Sequence, residues 1–487
     1  MEKMTHKPKR VLVQGNFDVL HPGHIRLLNF ARDCGDELIV AINTDSAMAV
    51  KSRVKEKHRL EIVQSLECVD EAFLTDQPPE QVVEQHQPAI VVKGKEFETR
   101  HNAELSALQQ YGGKLVFGSG EFETNADHYI RRTTSVGRNF DYQEAKQFAQ
   151  RHGITQSDLV SLFESMRALR VLVIGEVIVD EYVQGTAVGL SQEDPTIVMT
   201  PNRKDRFLGG AAITAGHIKA LGAKEVTLAS VLGEDNTAFY ATENISGYQV
   251  EPLFFTDTSR PTPLKTRYRA GNKTLLRVNQ VRQHKIAREL QEQIYSAIEQ
   301  KLDSTDLLVF SDFNYGVLPQ PLVERLSTAC RQRNIRMVAD SQTSSQVGDI
   351  SRYCGMDLLT PTEREVRVAL NNTDDGLVVL AQKLIEKTQS QNLVITLAEE
   401  GILVHKPDLP LQKWENDRLP ALNPNAVDPA GAGDCLLAAS SLALVAGANI
   451  WQACYLGSLA AACQVASLGN TPLSCQILEK AVKDSFS

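Results

Sequence analysis

A chain of 487 residues is too long for one ordinary hydrophobic core, so two or three domains are expected. Hydrophobic residues at 42% and charged residues at 23% are globular proportions. A formal net charge of −9 argues against nucleic-acid or anionic-membrane partners and leaves any bound polyanion to local sites.

The first 120 residues alternate strand and helix signals. Strands are expected at Arg10–Gln14, Glu37–Ile42, Ala89–Val92 and Lys114–Phe117, with helices over Pro22–Cys34, Lys57–Val69 and Gln81–His86. Such alternation implies a parallel, doubly wound sheet whose site lies at the carboxyl ends of its strands. From Asn139 to Arg167 the pattern turns polar and helical, with Thr155 or Ser157 as a cap, and reads as a connector. A second strand series opens at Arg170–Val179 and continues at Glu225–Val231, Leu307–Ser311, Met337–Asp340, Leu358–Thr360 and Leu393–His405. The expected division is therefore 1–138, a connector over 139–167, and a larger α/β domain over 168–487. Between Asp434 and Glu479 there is no Asp, Glu, Lys or Arg. Gly447, Asn449, Gln452 and Gln464 interrupt that stretch, so buried helices are expected there instead of a membrane span. The eight cysteines form no CxxC pair, and the Lys-rich start lacks an apolar run. Reduced thiols in a cytoplasmic protein without a signal peptide are expected.

Two motifs carry chemistry. The first is Gly15-Asn16-Phe17-Asp18-Val19-Leu20-His21-Pro22-Gly23-His24. Gly15 lets backbone N–H groups approach a phosphate, and Pro22 suits the first turn of a helix whose dipole favours an anion. His21 and His24 share one face and are placed to donate to oxygens that gain charge as an α-phosphorus becomes five-coordinate. The second motif is Asp428-Pro429-Ala430-Gly431-Ala432-Gly433-Asp434, ahead of an Ala/Leu-rich helix. Gly431, Ala432 and Gly433 aim backbone N–H groups at one point, an anion hole for a transferring γ-phosphate. Asp434 is placed to take the proton of an attacking hydroxyl. No GxxxxGK[ST] run occurs, so the chain is not a P-loop enzyme.

The GxFDxxHxGH run, with Ala41–Asp45, Arg59, Val92-Lys93-Gly94 and Tyr111-Gly112-Gly113, resembles the cytidylyltransferase-like nucleotidyltransferases over about residues 10–135. That resemblance implies a Rossmann-like fold, nucleotide contacts from Gly15, Phe17 and Asp18, and phosphate contacts from Lys51 and Lys93. Glu123-Thr124-Asn125-Ala126 stands where the family often has Ser-Thr-Thr, so the base, ATP or CTP, stays open.

Arg170–Asp180 with Glu181-Tyr182, then Gly209-Gly210-Ala211-Ala212, then the Asp428–Asp434 run, resemble the ribokinase-like PfkB carbohydrate kinases over about residues 168–480. The resemblance implies that Asp180 holds sugar hydroxyls while Gly209 and Gly210 let the sugar approach. Ser191–Pro195, Lys265-Thr266-Arg267, Leu275-Leu276-Arg277 and Ser311-Asp312-Phe313 look like the heptose 7-phosphate kinases of bifunctional ADP-heptose synthesis, where the kinase domain comes first. It implies substrate contacts from Lys265, Arg267 and Asp312, a magnesium shell near Glu365, and ATP with Mg²⁺. Ile213, Tyr315, Gln342 and Thr362 depart from that pattern, the first and last replacing Asn and the other two replacing Lys.

The reading is a cytoplasmic bifunctional enzyme, a homo-oligomer, whose partners are sugar phosphates and nucleoside triphosphates. The alternatives are CDP- or ADP-activation of another sugar or polyol, and a regulatory scaffold with a degenerate kinase domain.

Overall fold

The computed structural model describes residues 9–20, 22–48, 52, 54–94, 102–117, 140, 142–191, 193–194, 196–270, 273–342, 348–407, 414–424, 426–467 and 469–487. The chain divides into two compact units, the first over Met1–Gly137 with Thr373–Val379 and the second over Arg138–Asn372 and Leu380–Ser487.

In the first unit the order is β1 (Arg10–Gly15), α1 (Pro22–Asp33), β2 (Glu37–Asn43), α2 (Glu56–Gln64), β3 (Glu71–Thr75), α3 (Pro79–His86), β4 (Ile90–Lys93), α4 (Glu104–Tyr111) and β5 (Lys114–Phe117). Among the described residues these strands form one parallel sheet in the order β3-β2-β1-β4-β5. Alternate residues leave opposite faces of a strand. Accordingly Val11 and Val13 join the core with Leu28 and Val63, while Leu12 joins the one with Val82, Val83 and Leu108. Strand order reverses between β1 and β4, the position beyond Gly15 and Lys93 at which such sheets bind their ligands. β3 was not expected. The apolar Leu66 and Val69 extend the helical pattern, but α2 stops at Gln64 and both pack as loop residues.

The second unit starts with α5 (Gln143–Arg151) and α6 (Gln156–Met166), then β6 (Arg170–Gly175), β7 (Val177–Leu190), β8 (Ile197–Gly210), α7 (Ala211–Ala220), β9 (Glu225–Leu232), α8 (Asn236–Ile245) and β10 (Glu251–Thr256). β11 (Leu264–Ala270), β12 (Lys273–Gln280), α9 (Arg288–Leu302), β13 (Leu307–Asp312), α10 (Gln320–Gln332), β14 (Arg336–Ser341), β15 (Leu358–Leu359), α11 (Glu363–Leu370) and α12 (Leu377–Thr388) follow. β16 (Leu393–Thr396), β17 (Ile402–Pro407), β18 (Trp414–Leu419), α13 (Ala432–Val445), α14 (Ile450–Gln464) and α15 (Cys475–Phe486) complete it.

Among the described residues the large sheet runs β10-β9-β6-β13-β14-β15-β16-β17-β18, parallel as far as β16 and antiparallel beyond. A smaller sheet runs β12-β11-β7-β8. The expected strand Arg170–Val179 is split at Glu176, where the chain leaves the large sheet for the small one. Leu393–His405 is split likewise by a turn at Ala398–Glu400. The uncharged stretch forms α13 and α14, buried along most of their length, and among the described residues no helix is long and apolar enough to cross a membrane.

The polar segment read as a connector folds onto the second unit. Ala145, Phe148, Ala149, Leu159, Leu162, Phe163 and Met166 belong to its main core. Thr155 caps α6 in a capping box with Asp158. His152 stacks on Trp451 with centroids 4.0 Å apart and bonds Asp417, which also takes the Arg151 guanidinium. A chain begun at Ser157 loses α5, so it is expected to melt well below one begun at residue 138. Phe148→Ala alone is expected to cost about 3–5 kcal/mol in denaturant unfolding of the second unit. An unchanged midpoint would contradict this packing.

Candidate active sites

At the second site, α13 starts where its backbone turns left-handed at Gly431 (φ 79°), and Cys435 N–H bonds Gly431 O at 2.9 Å. The N–H groups of Gly433 and Asp434 precede that first bond, and Gly433 has open space where a Cβ would sit. Asp428 ties the loop down by accepting from Tyr182 Oη (2.9 Å), Ala430 N–H (3.1 Å) and Gly469 N–H (3.1 Å).

Asp434 is buried at this helix end and accepts from Thr214 Oγ1 at 3.1 Å. Burial pushes its carboxyl up to about 6, helped by Asp180 and opposed by Thr214 and Lys265. A carboxyl poised there is ionised at neutral pH and still basic enough to take a hydroxyl proton.

Asp180, on β7, is held at both oxygens, by Arg267 Nη1 on Oδ1 (2.5 Å) and Asn470 Nδ2 on Oδ2 (3.1 Å). A Cβ on Gly209 would lie 2.2 Å from Asp180 Oδ2, which explains the double glycine. The Lys265 ammonium lies over the Phe313 and Tyr315 rings, 5.3 and 5.5 Å from their centroids. The fold thus gathers Asp180, Gly209, Gly210, Lys265, Arg267 and the Gly431–Asp434 turn.

Asp312 sits differently. It is buried, and its carboxylate accepts from Arg352 Nη2, Tyr353 Oη and Ser341 Oγ on one oxygen and from Asn314 N–H on the other. Beside it Glu176 accepts three backbone N–H groups, from Phe313, Tyr315 and Val317. Burial and Asp312 push Glu176 up to about 7. This network shapes the loop that carries the Lys265 aromatics.

Thr362 and Glu365 form a capping box on α11, so Thr362 fills the role an Asn would fill there. Burial together with Glu365 and Asp434 holds Asp340 well above the usual carboxylate range. That concentration of negative charge suits a divalent cation, although among the described residues no three His, Cys, Asp or Glu side chains are placed to hold one. Gln342 Nε2 turns to Asp340, at 3.4 Å.

At the first site, Phe17 is buried with a left-handed backbone (φ 48°), and its ring tilts on His24 with centroids 5.1 Å apart. A bulky residue in that region marks a backbone held by its surroundings. The holding is done by Arg59, which is fully buried and donates to Asn16 O, Asn43 O, Val54 O and Asp45 Oδ1. Asp18 Oδ1 accepts from Ser52 Oγ and Val54 N–H, and Asn43 bridges Gln14 and Asn16. Lys93 Nζ pairs with Glu104 at 2.6 Å and donates to Asn102 at 2.8 Å. His21, Lys51, Gln192, Pro195 and Glu123–Ala126 lie outside the described residues.

Sequence reasoning missed Thr214, Tyr182, Glu104 and Asn470 as members of these sites. Thr214, three positions after Gly-Gly-Ala, was within reach of a helical-face argument. Asn470 comes from a distant turn and gave no local signal.

Residues 168–475 match the pfkB family of carbohydrate kinases, and residues 12–115 match a cytidylyltransferase-like model. The chain belongs to the pfkB family of carbohydrate kinases, and ahead of that domain it carries a cytidylyltransferase-like one. It is 30% identical over 323 residues to the bifunctional protein HldE of Geotalea uraniireducens, covering 66% of this chain and 64% of that protein. The HldE protein of Shewanella amazonensis is 31% identical over 316 residues, 64% of this chain and 63% of the relative. The chain thus spans slightly under two thirds of the length of these relatives. Phosphofructokinase-2 from Escherichia coli shares the fold, with a TM-score of 0.54 at 16% identity over 66% of this chain and 100% of that one. So does ribokinase from Thermotoga maritima, at 0.50 and 19%, covering 65% and 99%.

The Asp434 shift fixes two opposite pH dependences. With Asp434 as the group that takes the hydroxyl proton, kcat/KM is expected to fall about tenfold per pH unit below pH about 6. The folded state holds this proton more tightly than an ordinary Asp at 3.8. Its stabilising contribution is therefore present below pH about 4 and lost as pH rises through about 6. Asp434→Asn is expected to unfold at higher denaturant than wild type at pH 8 and to lose that advantage at pH 4; the reverse order would refute the shift.

Proposed function

We propose that the second unit phosphorylates a sugar phosphate hydroxyl with ATP and Mg²⁺, with heptose 7-phosphate as acceptor and the anomeric hydroxyl as nucleophile. The observation that supports this best is the buried Asp434 at the first turn of α13, beside the doubly held Asp180. The acceptor hydroxyl gives its proton to Asp434 and attacks the γ-phosphorus in line. ADP leaves while the α13 N–H groups balance charge on the transferring oxygens. Lys265 and Arg267 supply positive charge to an anionic acceptor. When bound, Mg²⁺ neutralises the ATP phosphates.

The first unit joins a sugar 1-phosphate to a nucleotide. A 1-phosphate oxygen attacks the α-phosphorus and pyrophosphate leaves, with His21 and His24 as donors; AMP from ATP is the leading choice and CTP the other. The product is a nucleotide-activated heptose made in the cytoplasm. A second reading, an unphosphorylated sugar or polyol as acceptor, draws on Tyr315 and Gln342. The Tyr315 ring is occupied by Lys265 and Gln342 turns to Asp340, so neither adds a cation for a substrate phosphate.

Asp434→Asn is expected to lower kinase turnover by about 10²–10⁴ while pyrophosphate release stays within a few-fold of wild type. His24→Ala is expected to do the reverse, with a loss of about 10² or more in nucleotidyl transfer. Coupled-enzyme assays of ADP and pyrophosphate check both, and parallel loss of the two activities would sink the two-site reading. With heptose 7-phosphate, ATP and Mg²⁺, ³¹P NMR should show accumulation of the bisphosphate until a 7-phosphatase is added. Nucleotide-sugar formed without the phosphatase would favour the second reading.

A further inference from the structure

Asn470 lies in a turn after α14, far in sequence from the residues it touches. Its Nδ2 donates to Asp180 Oδ2 at 3.1 Å, opposite the Arg267 contact on Oδ1. Its own Oδ1 is buried, and among the described residues it has no hydrogen-bond partner. The side chain is only 4% exposed. A Cβ added to Gly431 would sit 2.4 Å from that Oδ1, so the amide oxygen lies against the Gly431 α-carbon. The orientation of the amide is forced, since a reversed Asn470 would aim its oxygen at a carboxylate oxygen. A Cβ on Gly209 would in turn meet Asp180 Oδ2 at 2.2 Å and Asn470 Nδ2 at 3.4 Å. One continuous set of contacts therefore joins the double glycine, Asp180, the Asn470 amide and the residue that opens α13.

We propose that Asn470 is a positioning residue for phosphotransfer, one amide fixing both the carboxylate that orients the acceptor sugar and the glycine that sets the anion hole. The proposal rests on the kinase reading above and deepens it. An unpartnered buried amide oxygen is unfavourable by itself. Its retention is explained by what the other half of the amide holds and by the closeness the glycine permits. Because on this reading the acceptor is held from β7 and the γ-phosphate by the turn that opens α13, a link between the two keeps the reacting atoms in register, and small misplacements in such a geometry are costly in rate.

The test uses the full chain with heptose 7-phosphate, ATP and Mg²⁺. Asn470→Ala is expected to raise the sugar KM and lower kcat, each about tenfold or more, with the ATP KM changed less than about threefold. In combination with Asp180→Asn the losses should not multiply, because both changes break one linkage. Sugar KM and kcat within twofold of wild type, or fully multiplicative losses, overturn the proposal. Asn470→Asp, which keeps the shape but sets a second carboxylate against Asp180, should be at least as impaired as Asn470→Ala; near-normal kinetics also overturn it. The variant pair guards against a folding defect, with the thermal midpoint as control. A wild-type chain that leaves heptose 7-phosphate untouched overturns the substrate reading alone. The Gly431 amide resonance in glycine-labelled protein then decides the positioning role: displacement in Asn470→Ala supports it, and an unmoved signal overturns it.

Discussion

A buried carboxyl that can still ionise near neutral pH constrains everything around it, and the second unit is arranged around one such group, Asp434. Burial alone would leave the group protonated. Two things hold its carboxyl back to about 6 against burial and the Asp180 charge: the Thr214 hydroxyl and the Lys265 charge. Each of these has its own support. Thr214 stands on α7 because Gly209 and Gly210 let the chain turn tightly from β8 into that helix. Lys265 is steadied by Phe313 and Tyr315, whose loop is gathered by the three amides on Glu176. Asp434 is thus the visible end of a chain of polar contacts reaching across both sheets of the unit.

The first unit meets a related problem with the opposite charge. The turn after β1 holds a left-handed Phe17, a conformation a phenylalanine does not keep unaided. Arg59 is wholly buried, and a buried guanidinium is tolerable only when its donors are matched. It finds carbonyls on the turn, at the end of β2 and ahead of α2, plus the Asp45 carboxylate, and so ties three segments together. Lys93 is the counterpart at the end of β4. Its pairing with the buried Glu104 keeps the ammonium at the crevice and neutral in sum.

Much of this was legible in the residues. The parallel sheet of the first unit followed from apolar runs bounded by turns, β3 excepted, and the two family motifs announced themselves because glycine spacing and a following helix are local features. What escaped was non-local or frustrated by pattern. β7 and β8 are long strands of the small sheet, with exposed outer halves that carry no core periodicity. The segment over 143–166 is polar enough to read as a linker, yet most of its apolar positions are buried, Val160 being exposed. Asp312 was read as a substrate contact from its motif, while its partners, Arg352 and Tyr353, come from some forty residues downstream and take its oxygens for the fold itself. Asn470 could be found only in three dimensions.

The packing of α5 and α6 has a consequence for how such a unit is inherited. α15 lies against both of these helices, the Phe486 ring meets Tyr455, and Lys146 donates to Ser487 O. The entry and exit of the second unit therefore share one patch of its surface. A domain whose two ends are neighbours can be spliced to another from either side without threading the chain across its core. Order along the gene is then free to change while each catalytic centre keeps its own architecture. The same closure makes the unit slow to complete, because helices more than three hundred residues apart must meet before its main core is sealed.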